Sequence, residues 1–323
     1  MKKKYLSGIA VGALLAASEA AAQQTTLLPE TVVTAARIET PLSTVGSSIT
    51  VIDREELDRR QTRLVSDVLR EVPGLAVGRS GGIGGYTQLR MRGAEANQTL
   101  VLIDGIEVND PGLNAEFDFA HLLAEDVERI EILRGAQSAL WGSDAVGGVI
   151  NIITRKGEGP TKLRLGAELG MRETSQLSGA ISGGGERYHY ALSLNRFSTD
   201  GISAADERNG NKEADAFDNT GGTLKAGFSP TDYLTFDVAG RIEKAHGETD
   251  GFAAVVGQMD DSSRYTYTRR YGRAQATLKL FEGMWEHRVG AAITDTDHRA
   301  IDDFGSLATN DGRKTKLDYQ TTL

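Results

Sequence analysis

The chain has 323 residues, 39% of them hydrophobic and 25% charged, which places it in the ordinary globular range. Its formal charge is −9, and setting aside Lys2, Lys3, Lys4 and Glu19 with a leader lowers it by two more, so a nucleic-acid partner is disfavoured. No cysteine is present, which excludes a disulfide framework and a thiolate metal site, and no apolar run beyond the N-terminus reaches the roughly 20 residues of a membrane helix, so any membrane role falls to strands.

Residues 1–22 read as a secretory signal peptide: Lys2 to Lys4 are basic, Leu6 to Ala17 apolar, and Ala20-Ala21-Ala22 offers a small-residue cleavage site. The apolar run is too short to favour a membrane anchor. Residues 23–29 are polar and aperiodic. Glu30, Thr31, Val32, Val33, Thr34, Ala35 and Ala36 form a β-prone heptamer without proline. From the pattern alone it suits either an ordinary edge strand or a segment that adds to another protein's sheet through its backbone.

Residues 37–156 read as one compact α+β domain. Ile49, Val51 and Ile52 lead to Asp53, an N-cap with Glu56 three residues on. A second helix carries Leu64, Val65, Val68 and Leu69 and stops at Pro73-Gly74. Leu75 and Val77 open a strand that runs into Gly81 to Gly85, read as a mobile loop because no helix and no Gly-Lys-Ser/Thr follow. Residues 88–92 and 99–103 are further strands, with Asp104-Gly105 a hairpin signal. Ile130 to Lys156 is the organising stretch: strand, glycine-bearing turn, strand. Its glycines mark places of close backbone packing against whatever surrounds the domain.

Beyond Lys156 the period changes to two. Leu163, Leu165, Ala167 and Leu169 share a face, as do Tyr188, Tyr190, Leu192 and Leu194, then Leu234, Phe236 and Val238, then Trp285, Val289, Ala291 and Ile293. Apolar alternation over about ten residues is the pattern of a transmembrane barrel strand. Tyr188, Tyr190, Phe197, Tyr233, Phe281 and Trp285 suit interfacial girdles. Connectors at Ser182–Glu186 and Ser229–Asp232 are short; those at Ser198–Thr220, His246–Ser263 and Asp295–Lys314 are long. A soluble secreted β-rich binding protein built as a sandwich is the competing reading, but its strands are nearer 5 or 6 residues.

No catalytic constellation is visible. His121, His189, His246, His287 and His298 are scattered, and neither His-Glu-x-x-His nor Gly-x-Ser-x-Gly occurs, so the chain is read as a non-enzyme. Acidic residues concentrate instead in the long connectors, and hard oxygen ligands from two neighbouring loops can converge on Ca²⁺.

Four runs carry a family resemblance: Gln88-Leu89-Arg90-Met91-Arg92-Gly93, Val101-Leu102-Ile103-Asp104-Gly105, Val127 to Gly135, and Leu140-Trp141-Gly142 to Asn151-Ile152-Ile153-Thr154. With the leader and the Glu30–Ala36 heptamer, the chain resembles the N-terminal part of a TonB-dependent outer-membrane receptor. The implied fold class is an α+β plug domain at 37–156, followed over 157–323 by the first strands of an antiparallel transmembrane β-barrel. Such barrels have about 22 strands, of which about eight are expected here. Because an eight-strand barrel has no room for a plug, the sequence is read as a fragment.

The resemblance is strongest to members that carry cobalamin (vitamin B12), through Thr31 to Ala35, Ser66 to Arg70 and Gly142 to Thr154; ferric siderophore receptors, which share most of the plug, are the alternative. It implies outer-membrane lipid as surroundings, TonB with its inner-membrane energising complex as partner, and Glu30–Ala36 as the TonB box. Ligand contact is implied at Ile83, Gly85, Tyr86, Asn109, Asp110 and Leu113 on the outward plug loops. Ca²⁺ is implied at Asp200, Asn211, Glu213, Asp215, Asp250 and Asp260 or Asp261. Arg90, Arg92, Arg129 and Arg134 are expected to pair with carboxylates of the barrel lumen.

Overall fold

The structure, a computed structural model, describes residues 32–33, 40–203, 214–253, 257–302 and 304–323; for 32, 33, 40, 251–253 and 257–261 it describes the backbone alone. A small mixed domain sits against the inner face of one long, curved antiparallel sheet.

The domain begins where β1 (Val32–Val33) pairs antiparallel with β2 (Thr40–Pro41), Val33 opposite Thr40. The rest of the proposed TonB box, Glu30, Thr31, Thr34, Ala35 and Ala36, lies outside the described residues, as does the leader. β3 (Ser48–Asp53) then delivers Asp53, whose carboxylate accepts from the Glu56 amide at 2.9 Å and so satisfies a free donor at the start of α1 (Arg54–Arg59). α2 (Val65–Leu69) ends with Arg70 as its C-cap, short of the expected stop at Pro73-Gly74; the chain turns on from there to Gly74 at φ +85°.

β4 (Leu75–Arg79) and β5 (Thr87–Met91) form a separate hairpin. Between them the glycine run is a closed turn, not the loose loop that its composition suggested: Ser80 N donates to Tyr86 O, and Gly85 N to Gly82 O. A β-carbon on Gly85 would stand 1.8 Å from Ser80 O, so the turn exists only because position 85 has none. β6 (Thr99–Ile103) turns at Asp104-Gly105, both at positive φ, into β7 (Ile106–Glu107).

The organising stretch supplies β8 (Val127–Arg134) and β9 (Gly148–Thr154), adjacent and antiparallel, joined through the short α3 (Ser138–Trp141). The five-stranded sheet runs β3-β8-β9-β6-β7, with β9 parallel to β6. Every residue of β6 is buried, as a strand covered on both faces must be. Its core draws on Ile52, Leu57, Val65, Ile103, Ile130 and Ile152.

One expectation needs correcting here. A β-carbon on Gly147 would meet Ala94 and Gln98, and one on Gly148 would meet Leu133 and Met91, so these glycines pack inside the domain. Close approach to the long sheet falls on other glycines, among them Gly84 against Phe217 and Gly112 against Asp311 and Gly312.

That sheet comprises β10 (Lys162–Leu169), β11 (Ser175–Gly184), β12 (Tyr188–Thr199), β13 (Phe217–Thr231), β14 (Leu234–Ala253), β15 (Gly257–Leu280), β16 (Trp285–Ile301) and β17 (Leu307–Thr322), each bonded to its sequence neighbours. Period-2 alternation works as expected: Leu163, Leu165, Leu192, Leu194, Phe236, Val238 and Val289 stand exposed on the convex face. A sandwich would have covered them with a second sheet. No helix among the described residues is long and apolar enough to cross a membrane.

Two expectations about this sheet fail for physical reasons. Within 246–263 and 295–314 the described residues are mostly strand rather than loop. β14 continues to Ala253 and β15 starts at Gly257, while β16 and β17 extend to Ile301 and from Leu307. A ladder needs paired backbone groups rather than apolar side chains, so it continues where the hydrophobic pattern stops. Phe197 is buried against the domain rather than exposed in a girdle, because it lies three positions beyond outward-facing Leu194 and parity has reversed. Tyr188, Tyr233 and Phe281 do stand exposed at the end of the sheet that carries the short turns.

Candidate ligand site between the N-terminal domain and the sheet

The domain is held by polar contacts whose polarity is the reverse of that expected. Arg90 pairs with Glu95, Arg129 with Glu131, Arg134 donates to Pro73 O and Thr50, and Arg92 lies beside Gly74 and Gly135, all within the domain. The domain instead contributes acids and the sheet bases. Lys225 bonds Asp104 at 2.7 Å, Lys314 bonds Glu107 at 2.7 Å with Lys316 on its other oxygen, and Arg241 bonds Asp126 at 2.5 Å. Burial alone would raise the Glu107 carboxyl, but Lys314 and Lys316 outweigh it and bring it below the ordinary range. Arg63, paired with Glu168, is an exception in the expected sense.

Toward the long-hairpin end of the sheet, domain and sheet enclose a cavity of about 300 Å³. Its domain wall is Gly84, Tyr86, Asp110, Leu113, Asp118 and His121; its sheet wall includes Tyr265, Tyr267 and His298. Asp118 organises the domain side. Its Oδ1 accepts from Thr87 N at 2.8 Å and Ala120 N at 2.9 Å, which ties the glycine turn to the Phe119–His121 turn. Asp110 docks the next loop: Oδ1 accepts from Gly112 N at 2.8 Å and from the Thr296 hydroxyl at 2.6 Å, while Tyr267 donates to Oδ2. The Tyr86 hydroxyl donates to Glu116, and burial followed by that bond pushes its pKa up.

His121 is buried between the two walls. Its Nε2 meets the Tyr265 hydroxyl at 3.1 Å, its ring stacks on Phe217 at 5.8 Å, and the Tyr267 ring is edge-on at 5.3 Å. Burial holds the imidazole well below its usual pKa and lifts the Asp118 carboxyl to about 6. The 3.9 Å approach of His121 Nδ1 to Asp118 Oδ2 is therefore not an ion pair: the imidazole is neutral.

Three of the six expected ligand residues, Tyr86, Asp110 and Leu113, line this cavity. Asn109 does not. Its amide is consumed by Val101 N, Thr99 O and Ala115 O, which makes it a buried loop anchor. Ile83 packs with the Phe197–Phe217 cluster beside the cavity, and Gly85 shapes the turn. The residues missed were Asp118, His121, Tyr265, Tyr267 and His298. Tyr265 and Tyr267 carried a faint signal, two aromatics at the inward parity of one strand; nothing in sequence joined His121 to His298.

Of the residues proposed for Ca²⁺, Asn211 and Glu213 lie outside the described residues and the side chains of Asp260 and Asp261 are not described. Asp200, Asp215 and Asp250 are described, with Ser203 donating to Asp250 at 3.2 Å. No group of three acids or histidines that could hold a metal occurs among the described residues.

Residues 41–149 match the family described as TonB-dependent Receptor Plug Domain. This chain carries a TonB-dependent receptor plug. The match falls within the 37–156 domain read from sequence. A curated relative, the vitamin B12 transporter BtuB of Photobacterium profundum, is 32% identical over 277 residues, which are 85% of this chain and 45% of that protein. The chain thus spans about half the length of that relative. Two solved structures share the fold. The ferripyoverdine receptor of Pseudomonas aeruginosa has a TM-score of 0.71 at 16% identity, covering 90% of this chain and 42% of its own. The siderophore receptor PirA from Acinetobacter baumannii has 0.64 at 20%, covering 84% and 44%. The mixed domain is accordingly the plug, and the eight-stranded sheet is outer-membrane barrel wall with an exposed apolar belt.

Gly84 lines the cavity where no side chain fits. It sits at φ +91°, and an added β-carbon would stand 2.2 Å from the Phe217 ring. Gly84→Ala is expected to displace the turn from the wall and weaken ligand binding at least about tenfold. Comparing Kd for wild type and variant checks this; an unchanged Kd contradicts it.

Asp118 also predicts a pH dependence. Its pKa is raised on folding, so its stabilising contribution is fully present below its ordinary value near 3.8 and is lost as pH rises through about 6. Relative to Asp118→Asn, which does not titrate, the wild-type Tm should fall between pH 4 and 6 and then level off. A flat difference would contradict the raised value.

Proposed function

We propose that the chain forms the plug and first wall strands of an energised outer-membrane transporter for cobalamin. The observation that carries this reading is the 32% identity to the vitamin B12 transporter, which extends over 85% of the chain and so runs through both plug and wall. Ligand binds in the cavity between Tyr86, Asp110 and Leu113 on the plug and Tyr265 and Tyr267 on the wall. Its contacts bias the plug, and Glu30–Ala36 becomes available in the periplasm. TonB, energised by its inner-membrane complex, then captures that segment by strand addition. The energy comes through that partner, so the chain itself needs no nucleotide site.

A ferric siderophore is the second reading, favoured by the solved structures with this fold. The cavity's own chemistry supports cobalamin over an anionic iron chelate, because it presents Asp110 and Asp118 and no lysine or arginine among its described lining residues. Equilibrium binding and cellular uptake of cyanocobalamin against ferric siderophores decide between them: cyanocobalamin is expected to bind and enter, and exclusive uptake of a ferric siderophore overturns the reading. Calcium stays part of the proposal through Asp200, Asn211, Glu213, Asp215, Asp250, Asp260 and Asp261, the last three on the extended ends of β14 and β15, and the same binding measured with and without Ca²⁺ tests it. No step is routed through the metal.

A further inference from the structure

Two acceptors face one another in the cavity wall without a donor between them. The Tyr265 hydroxyl gives its single proton to Gly84 O, so toward His121 it can only accept, which places the imidazole proton on Nε2. His121 Nδ1 is then a bare lone pair, buried and without a partner. Opposite it, at 3.9 Å, stands Asp118 Oδ2; both backbone donors to that carboxylate bond its other oxygen, Oδ1. Across the cavity, on the sheet wall, a second ring atom, His298 Nδ1, is also buried without a partner. Two acceptors this far apart are poorly placed for each other and well placed for one nitrogen that carries two hydrogens, since each N–H···acceptor distance is about 2.9 Å. A buried acceptor without a donor is costly, and a ligand that supplies the donor removes that cost.

We propose that His121 Nδ1 and Asp118 Oδ2 form a cradle for an –NH2 group, and that the cavity thereby selects neutral primary carboxamides over carboxylates and other ligands lacking an N–H donor. The flat rings of Tyr265, Tyr267 and Tyr86 bound the space beside the cradle and suit a planar body attached to the amide. The selection is a lock of acceptors rather than of charge. A site that hydrogen-bonds a substrate group rejects the analogue that lacks it, because its own polar atoms are left unpaired. The inference rests on this cavity being the ligand site, and it names the chemical group through which an amide-bearing ligand such as cobalamin would be chosen.

The test uses the purified full chain in detergent at pH 7.5 and three small probes of one shape: nicotinamide, nicotinate and methyl nicotinate, followed by saturation-transfer NMR. Nicotinamide is expected to bind at least about tenfold tighter than either of the others, since methyl nicotinate is neutral yet has no N–H donor. Asp118→Asn replaces the acceptor by a donor while keeping an oxygen for Thr87 N and Ala120 N, and should shrink the nicotinamide advantage to about twofold or less. Equal binding of nicotinamide and methyl nicotinate by the wild type overturns the proposal without recourse to any variant, and so does an undiminished preference in a folded Asp118→Asn protein. Competition by cyanocobalamin separates the two readings: selective nicotinamide binding that cyanocobalamin does not displace leaves the cradle standing and removes cobalamin as the ligand.

Discussion

Arg241→Met is expected to be the most destabilising single change in the plug–wall interface, at about 3–5 kcal/mol. Arg241 on β14 is 3% exposed; it bonds Asp126 of the plug, likewise 3% exposed, at 2.5 Å and lies 3.5 Å from Glu243, which Arg269 approaches at 3.4 Å from the far side. Thr223 also donates to Asp126. Removing the guanidinium leaves a buried carboxylate with one hydroxyl for company, and an uncompensated buried charge costs far more than the pair contributed. The double variant Arg241→Met with Asp126→Leu should therefore recover most of the loss, since replacing both partners by apolar groups is often near neutral. Urea unfolding of the wild type, two single variants and the double variant closes the cycle. A single variant within about 1 kcal/mol of wild type would show that the network is not a buried one.

The second large effect is functional. Val33→Pro should abolish cyanocobalamin uptake while leaving its binding to the outer cavity within about twofold of wild type, because strand addition is built from backbone donors and proline has none. Val33 already uses an extended backbone, opposite Thr40 in a two-residue pairing. So short a pairing is easily exchanged for a longer one with a partner. Val33→Ala, which keeps the N–H, serves as control and should transport. Normal uptake by the proline variant would sink the assignment of Glu30–Ala36, whatever the ligand.

Much of the fold was legible because it depends on local periodicity. The Asp53 cap, the Asp104-Gly105 hairpin and the alternation of β10 to β17 each follow from a few adjacent residues. What failed in sequence was whatever depends on parity carried over a distance or on pairing between remote segments. Phe197 looked like a girdle aromatic until its offset from Leu194 was counted. The docking charges were assigned to plug arginines because arginine clusters are conspicuous, whereas the acids that dock the plug sit singly, Asp104, Asp110 and Asp126 in turns and loops and Glu107 at the end of a two-residue strand. The candidate site was half legible: Tyr86, Asp110 and Leu113 belong to outward loops, but His121 and Tyr265 acquire their meaning only from each other, across 144 residues.

The length of the hairpins bears on how a ligand is received. A membrane crossing uses roughly 9–11 residues of strand, yet β15 has 24 and its partner β14 has 20. The surplus over one crossing is hydrogen-bonded ladder. Fixing an unstructured residue costs about 1–2 kcal/mol in conformational entropy, a sum that a vestibule made of coil would levy on every ligand it closed around. Residues held in a ladder gave up that freedom when the chain folded, so a ligand that met this rim would find it preorganised, with more of the contact energy left to appear as affinity.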